Sequence, residues 1–319
     1  MIRATLDAGA IDVAASLAAY NMLRRDPTVL LGPGSFDRAT LTPEGRGRIT
    51  VTWTVGRPEV VVRTEGDGEE WLQRQAPAMI GLHDDVSGFD PAEAPLRNLW
   101  RLHRGSRVTA SGTLWHDLAW FIVQQRVTRQ EAADSWARMV RELGTPTPGP
   151  GDLTTPPTPA VVGSMTYERL HPFGLERRRA ENLIAAARCA HRLMGADVDS
   201  ERSATALSAV RGIGPWTLSC LRTFTWGSAD TVILGDSGIP SMVTWLLAGE
   251  RRGTDERMLD TAVCGLPQSG SEPPLREGHS GDIEDDQQLG QVHCRTGTSR
   301  SRHVRLLRST HYGRDPVSA

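Results

Sequence analysis

The chain has 319 residues, of which 39% are hydrophobic and 23% are charged, and its formal net charge is −2. It contains no apolar run of about 18 residues, which argues against a membrane-spanning protein. The four cysteines form no CxxC pair, so neither a metal cluster nor a disulfide framework is expected. Residues 1–20 lack the basic start and apolar stretch of a signal peptide, and a cytoplasmic location is expected.

The charge is unevenly distributed along the chain. Residues 96–222 hold 17 arginines against 11 acidic residues, a net of +6, whereas residues 1–95 carry a net of −5. The middle third is therefore the part whose charge favours a polyanion, although +6 is also ordinary for a solvated surface. All 36 Lys and Arg residues are arginines, so the chain contains no lysine.

The N-terminal part is predicted to combine strands with a helix. Residues 48–64 (RITVTWTVGRPEVVVRT) alternate apolar and polar side chains around a Gly-Arg-Pro turn, which is typical of two antiparallel strands. Residues 70–81 (EWLQRQAPAMIG) are predicted to be helical. A polar, glycine-containing segment then marks a boundary near residue 90, so we expect an α+β domain over residues 1–90.

From Ala94 onward, the apolar residues recur with the period of a helix. Helices are predicted in three segments: 96–105, 113–144 and 177–195. These segments indicate a helical domain over residues 91–260. The Pro/Gly-rich stretch 145–159 is predicted to be a connector in which neither a helix nor a strand forms.

The C-terminal part shows a different composition. Residues 261–302 are rich in Gly, Ser, Pro and acidic residues and have no apolar period, so an irregular or disordered segment is expected. Residues 303–319 are predicted to hold a short C-terminal helix and a tail. The overall fold class is predicted to be mainly α with a small N-terminal antiparallel β part (α+β).

The most informative stretch is residues 207–236, LSAVRGIGPWTLSCLRTFTWGSADTVILGD. It predicts a short helix, a tight turn at Gly212-Ile213-Gly214, a second helix from Pro215, and a loop that ends at Asp236. A turn without side chains lets its backbone N–H groups lie close to a phosphate, and the helix dipole adds to the attraction. Taken alone this is a weak signal, because a plain helix corner has the same pattern.

Together with its surroundings, this stretch resembles the helix-hairpin-helix DNA glycosylase superfamily, and within it the bacterial 3-methyladenine DNA glycosylase II family. The similarity runs from about Gly81 to Asp260. The matching pieces are GLHDDVSGF, FIVQQRVTRQEAADSWARMVRELG, HPFGLERRRAENLIAAAR, VRGIGPWT and ADTVILGD. The resemblance implies a helical glycosylase body with a cleft between two helical subdomains, and flipping of a damaged base out of duplex DNA.

The resemblance also implies roles for particular residues. Asp236 matches the catalytic aspartate, which stabilises the cation that develops on the deoxyribose as the N-glycosidic bond breaks; the alternative is a turn residue. Three residues are implied to line the base pocket: Trp216, Cys220 and Trp120. Trp216 would stack on a positively charged alkylated base, whereas the alternative is a core tryptophan.

A further set of residues is expected to contact DNA: Gly212, Ile213, Gly214, Thr217, Gln125, Arg126 and Arg179. In this set, Ile213 is expected to pack inward and hold the two hairpin helices together. Arg126 matches the position that fills the gap left in the base stack, and an exposed arginine that contacts phosphate is the equal alternative.

The type of reaction depends on the position of Trp216. Bifunctional members of the superfamily carry a lysine there, which forms a Schiff base and cleaves the strand, and this chain has no lysine. A monofunctional DNA glycosylase without lyase activity, which leaves an abasic site, is therefore predicted. The expected partner is double-stranded DNA with a damaged base, bound by a monomer in the nucleoid-associated cytoplasm. No metal or cofactor is expected, apart from a possible monovalent cation at the hairpin backbone.

Three departures from the family pattern leave alternatives open. Ser237 and Gly238 stand where the family often has an aromatic residue and a histidine, and Cys220 stands where some members have a pocket tyrosine, which leaves the substrate range open. Residues 261–302 lack the family's junction before a final helix. A catalytically impaired helix-hairpin-helix DNA-binding protein is therefore the alternative. A remote alternative is a serine hydrolase that uses the Gly-Asp-Ser-Gly loop at Asp236.

Overall fold

The computed structural model describes residues 1–21, 25–147, 149, 151–193 and 200–264. The strands are β1 (Ile2–Asp7), β2 (Val29–Gly32), β3 (Ser35–Thr42), β4 (Gly45–Trp53), β5 (Glu59–Glu65), β6 (Thr145–Pro146) and β7 (Thr154–Thr155). The helices are α1 (Val13–Leu17), α2 (Glu69–Met79), α3 (Ala94–His103), α4 (Leu114–Val123), α5 (Arg129–Leu143), α6 (Pro159–Gly163), α7 (Tyr167–Leu170), α8 (Arg177–Leu193), α9 (Ser200–Ser208), α10 (Pro215–Cys220), α11 (Ile239–Ala248) and α12 (Asp255–Cys264). A π-helical turn, Leu221–Thr225, continues α10. Within the described ranges, every helix is too short or too polar to cross a lipid bilayer.

The chain forms two compact units. The first contains Met1–Asp85 and Gly105–Ala229, and the described part of the second contains Val86–Arg104 and residues 230–264. The predicted domain boundary near residue 90 stays a prediction. It rests on the change from strand to helix periodicity in the sequence and not on how the segments pack.

The five-stranded sheet of the first unit is antiparallel throughout, in the order β1-β5-β4-β3-β2. One of its faces packs on α2 and α1 around an apolar core that includes Leu17, Phe36, Ile49, Val62 and Met79. Burying these side chains stabilises the unit because apolar surface leaves water. The predicted strands and helix over 48–64 and 70–81 are confirmed as β4, β5 and α2.

A layer of buried polar groups joins strand β3 to helix α4. Arg38 Nη2 donates to Asp117 Oδ1 at 2.7 Å, and Thr40 Oγ1 lies 2.8 Å from His116 Nδ1. Thr28 Oγ1 lies 3.3 Å from His116 Nε2. Burial lowers the pKa of His116 well below its ordinary value, so the imidazole is neutral in the folded protein. These bonds fix α4 on the sheet, and the C-terminal end of α4 carries the site described below.

The predicted fold class, mainly α with a small antiparallel sheet, is confirmed. The helices expected from the pattern after Ala94 are present as α3, α4, α5 and α8. Helix α5 begins at a capping box, in which Thr128 and Glu131 satisfy each other's backbone N–H groups. Strands β1, β2 and β3 are additional to the sequence prediction.

The prediction that residues 145–159 contain no helix or strand is wrong. Thr145 pairs with Thr155 in a two-residue antiparallel ladder of β6 and β7, and α6 begins at Pro159. The ladder forms because the Pro/Gly-rich stretch folds back on itself, and Thr147 N donates to Leu153 O at 2.8 Å. A turn-rich composition is therefore compatible with two short paired strands.

The prediction for residues 261–302 is wrong at its start. Helix α12 continues to Cys264, with Thr261 Oγ1 donating to Arg257 O at 2.7 Å in the last turn. The rest of that segment and the predicted C-terminal helix and tail of 303–319 lie outside the described residues.

Candidate nucleic-acid interface and catalytic loop

A tight turn joins α9 to α10 in the first unit, as the sequence predicts. Val210 N donates to Leu207 O at 2.9 Å and Ile213 N donates to Val210 O at 3.0 Å, which closes the turn after α9. Pro215 occupies the first position of α10, where its missing N–H costs little. Ile213 is buried. Hydrogen bonds after α9 and the start of α10 therefore hold the turn at both of its ends.

The two glycines of the turn have different surroundings. Gly212 has φ +90°, and a Cβ at this position would lie 2.1 Å from Asn182 Oδ1. Gly214 has φ −97°, which any residue adopts, and a Cβ there would meet no atom within 4 Å. Packing within the chain thus requires glycine at Gly212 but leaves open space outside Gly214.

The side chain of Gln125 links the end of α4 to this turn. Its Nε2 donates to Gly212 O and to Thr217 Oγ1, both at 3.0 Å, and its Oε1 accepts from Asn182 Nδ2 at 3.2 Å. Thr217 is 1% exposed, so its hydroxyl faces the interior. Neither the Gln125 amide nor the Thr217 hydroxyl supports the direct DNA contact expected from the sequence, because both are engaged inside the protein.

Arg126 directly follows Gln125 and is exposed. Its backbone has φ +59°, a left-handed conformation that is unfavourable for a residue with a side chain and costs about 1–3 kcal/mol. The end of α4 and the capped start of α5 hold it in place. The expected role of Arg126 in filling the base stack stays a prediction.

Arg179 does not fit the expected phosphate contact. It is 5% exposed, and its Nη1 and Nη2 donate to Val123 O at 2.9 Å and to Gly174 O at 3.0 Å. Burial lowers its pKa, while Glu176 acts in the opposite direction. The guanidinium therefore holds the carbonyl at the end of α4, and the exposed arginines in this run are Arg177 and Arg178.

The three residues expected to line a base pocket differ in exposure. Trp216 is half-buried and meets Phe121 edge to face at 5.9 Å between ring centroids, and Trp120 lies 5.1 Å from the same ring. Trp120 is 7% exposed, and its indole N–H has no acceptor among the described residues. Cys220 is 3% exposed. Trp216 is thus the most exposed of the three side chains, and the base pocket itself stays a prediction.

Asp236 belongs to the second unit, where it precedes helix α11. Its Oδ1 accepts hydrogen bonds from Gly238 N at 2.8 Å and Ile239 N at 2.9 Å, which fixes the carboxylate at the start of the helix. Gly235 N donates to Asp255 Oδ2 at 2.7 Å, so α12 also holds this loop. The geometry agrees with a cap and with a catalytic carboxylate, and the approach of Asp236 to the hairpin stays a prediction.

The Gly-Asp-Ser-Gly loop leads directly into α11. The Gly-Asp-Ser-Gly sequence resembles the nucleophile loop of trypsin-like serine proteases, which have an all-β fold, whereas a helix follows the loop here, so the remote alternative has no support. Across the described ranges, His, Cys, Asp and Glu side chains form no group of three or more that could bind a metal ion. The possible monovalent cation at the hairpin backbone stays a prediction.

Solved structures of DNA glycosylases share this architecture. A 3-methyladenine DNA glycosylase from Archaeoglobus fulgidus superposes with a TM-score of 0.68 at 20% identity, over 82% of this chain and 92% of its own. The chain has the fold of a DNA glycosylase. An 8-oxoguanine glycosylase/lyase from Clostridium acetobutylicum, in complex with double-stranded DNA, superposes with a TM-score of 0.53 at 13% identity, over 72% of this chain and 78% of its own. These matches confirm the helix-hairpin-helix glycosylase fold that the sequence predicts.

No protein-family model and no curated protein sequence matches the chain. The similarity of the glycosylase fold is thus visible in three dimensions, while the sequence identity stays at 20% and below.

Two residues of the site are not among those predicted from the sequence. Asn182 lies on α8, is 8% exposed and touches both Gln125 and Gly212. Phe121 on α4 joins the rings of Trp120 and Trp216. An asparagine on the buried face of an apolar helix is a signal that could have identified Asn182, because a buried amide needs a partner.

Proposed function

We propose that this chain is a monofunctional DNA glycosylase that removes alkylated bases of the 3-methyladenine kind from duplex DNA and leaves an abasic site. The observation that carries the proposal is Gly214. It lies in the hairpin of a DNA glycosylase fold, and nothing within the described chain requires glycine there. Open space above a bare backbone suits the close approach of a phosphate. The net charge of +6 over residues 96–222, which include this hairpin, supports the same partner.

In the proposed reaction, the hairpin binds the DNA backbone and Asp236 assists cleavage of the N-glycosidic bond. The damaged nucleotide leaves the stack, and a positively charged alkylated base stacks on the electron-rich indole of Trp216. The bond between C1′ and the base nitrogen breaks, its electron pair leaves with the base, and the Asp236 carboxylate stabilises the positive charge on the sugar. Water then adds to C1′ and loses a proton, which leaves the abasic site.

The absence of a lyase step rests on the residue types. A lyase needs an amine that forms a Schiff base with C1′, and lysine is the usual source. Trp216 stands at the expected position, and the chain contains no lysine elsewhere. Since one solved structure with this fold is an 8-oxoguanine glycosylase/lyase, the fold alone does not decide this point. The lysine-free composition supports the monofunctional reaction. We also propose that the protein acts as a monomer in the cytoplasm.

Asp236→Asn tests the proposal sharply. Asparagine keeps an oxygen that accepts from Gly238 N and Ile239 N, so the start of α11 stays capped, while the negative charge is lost. We expect base excision to fall by about 100-fold or more, with DNA affinity and melting temperature nearly unchanged. The measurement is release of abasic sites from duplexes that each carry one lesion, including 3-methyladenine, 7-methylguanine and hypoxanthine, followed by alkaline cleavage.

One control variant and three contrary outcomes complete this test. Asp260→Asn removes an exposed charge from α12 of the same unit and should leave excision within about threefold of wild type. Full excision by Asp236→Asn would overturn the catalytic role. A wild-type chain that binds duplex DNA but excises no lesion of the panel would favour the impaired DNA-binding protein instead. Strand cleavage without alkali would contradict the monofunctional reaction.

A further inference from the structure

The hydrogen bonds of Gln125 connect two parts of the proposed DNA-binding surface that are far apart in sequence. Gln125 lies at the end of α4 next to the exposed Arg126, and its amide reaches the turn at Gly212, which is 87 positions further along the chain. A second bond reaches Thr217 in the first turns of α10. One side chain thus spans the gap between the arginine and the hairpin.

Asn182 determines which end of the Gln125 amide faces the hairpin. Because Asn182 Nδ2 donates to Gln125 Oε1, the NH₂ end of Gln125 is turned toward the Gly212 carbonyl. Gly212 can approach this pair only because it has no Cβ, which would lie 2.1 Å from Asn182 Oδ1. Helix α4, helix α8 and the hairpin therefore meet at one ordered set of bonds, and Gln125 lies at its centre.

We propose that Gln125 is a positioning residue that sets the distance between Arg126 and the turn of the hairpin, so that both contact one duplex together. This inference rests on the proposed function, since it presupposes DNA across both parts. The left-handed backbone of Arg126, φ +59°, fits the same role, because an unfavourable conformation persists only where the surrounding structure holds it. Gln125 acts from inside the protein, whereas Arg126 and Gly214 face the DNA.

A double-mutant cycle distinguishes positioning from plain stabilisation. Gln125→Met keeps the length of the side chain and removes its hydrogen bonds. We measure the dissociation constant of the full chain for a duplex with a tetrahydrofuran abasic-site analogue. In the wild-type background, Arg126→Ala should weaken binding about tenfold; in the Gln125→Met background, it should weaken binding less than about threefold, because Arg126 is no longer held against the hairpin.

Gln124→Met provides the matched control. Gln124 is the preceding glutamine, also half-buried, and among the described residues its amide donates to Trp120 O of α4 at 3.2 Å and not to the hairpin. Arg126→Ala should still weaken binding about tenfold in this background. Melting temperatures of all variants show whether a change in folding contributes. A role limited to stability would lower the melting temperature of Gln125→Met and leave the effect of Arg126→Ala the same in every background.

A second variant covers the case in which Gln125→Met does not fold. Asn182→Leu keeps roughly the size of the side chain and removes the donor to Gln125 without burying a charge, so the Gln125 amide is no longer held in its orientation toward the Gly212 carbonyl. The same loss of coupling to Arg126→Ala is expected. Equal effects of Arg126→Ala in all backgrounds overturn the positioning role alone, whereas a wild-type chain that does not bind the duplex overturns the proposed function.

Discussion

At the scale of single residues, the first hairpin glycine is needed for folding, whereas the second is proposed to contact DNA. Gly212→Ala forces a Cβ onto Asn182 at a positive φ, so we expect the unfolding free energy to fall by about 2–4 kcal/mol. Gly214→Ala meets no atom of the chain and should change stability by less than about 0.5 kcal/mol. Its methyl group would instead meet the DNA, and affinity for duplex should fall about tenfold or more.

Urea denaturation and duplex binding of both variants check this pair. Gly56→Ala supplies a control for a glycine in open surroundings away from the hairpin, although its φ of +81° adds a local cost. Wild-type affinity in Gly214→Ala would contradict the phosphate contact, because a methyl group at that position would then have met nothing.

Residue chemistry alone did not predict which polar side chains of the candidate site turn inward. An arginine suggests a phosphate contact, yet Arg179 is buried against two carbonyls. A glutamine in a loop expected to contact DNA suggests a DNA contact, yet the amide of Gln125 donates to Gly212 O and Thr217 Oγ1. The direction of a side chain depends on elements from distant parts of the chain, which one sequence does not specify.

At the scale of elements, the packing of α4 on the sheet makes stability depend on pH. His116 is buried between Thr28 and Thr40, and burial lowers its pKa. In the unfolded chain this histidine binds a proton near pH 6.5, whereas in the folded chain it stays neutral at that pH. The stability it contributes is therefore complete above about pH 6.5 and is lost as the pH falls, at up to about 1.4 kcal/mol per pH unit. His116→Gln should flatten this slope.

Urea denaturation at several values between pH 7.5 and 5.5 measures the effect. His83→Gln, at an exposed histidine, should keep the full slope of the wild type. Burial raises the pKa of Asp26, which acts in the opposite direction at lower pH, so the informative quantity is the difference between wild type and His116→Gln. Identical slopes in these two proteins would show that His116 is not buried as a neutral group.

The same layer explains why strand β3 is not visible in the sequence. Both of its faces are buried, and each carries buried polar side chains: Asp37 on one face, Arg38 and Thr40 on the other. Since the buried polar side chains replace the apolar ones, the alternation that marks β4 and β5 is missing. Helices α5 and α8 are predictable because one face of each is solvated and the apolar period stays clear.

At the scale of the whole first unit, Asp117 joins three parts of the chain. Its carboxylate accepts from Arg38 on β3, from Ser111 before α4, and from Thr225 at 2.7 Å in the π-helical turn that follows α10. The sheet, the helix that carries Gln125 and the far end of the hairpin helix therefore share one buried charge. This arrangement makes the N-terminal sheet a structural support for the candidate DNA-binding surface.

Arg38→Met tests that dependence. Removing one partner of a buried ion pair leaves the other charge uncompensated, which costs about 3–5 kcal/mol. We expect the lower end of that range, because Arg38 Nε and Nη1 find no acceptor among the described residues and the guanidinium lies over the Tyr20 ring at 4.7 Å. Adding Asp117→Asn should restore about 1–2 kcal/mol, since the amide keeps its hydroxyl partners without a net charge.

Urea denaturation measures both steps, and duplex binding should weaken and recover with them if the sheet supports the hairpin. A double variant less stable than Arg38→Met would mean that the Asp117 charge is compensated by the Ser111 and Thr225 hydroxyls rather than by Arg38.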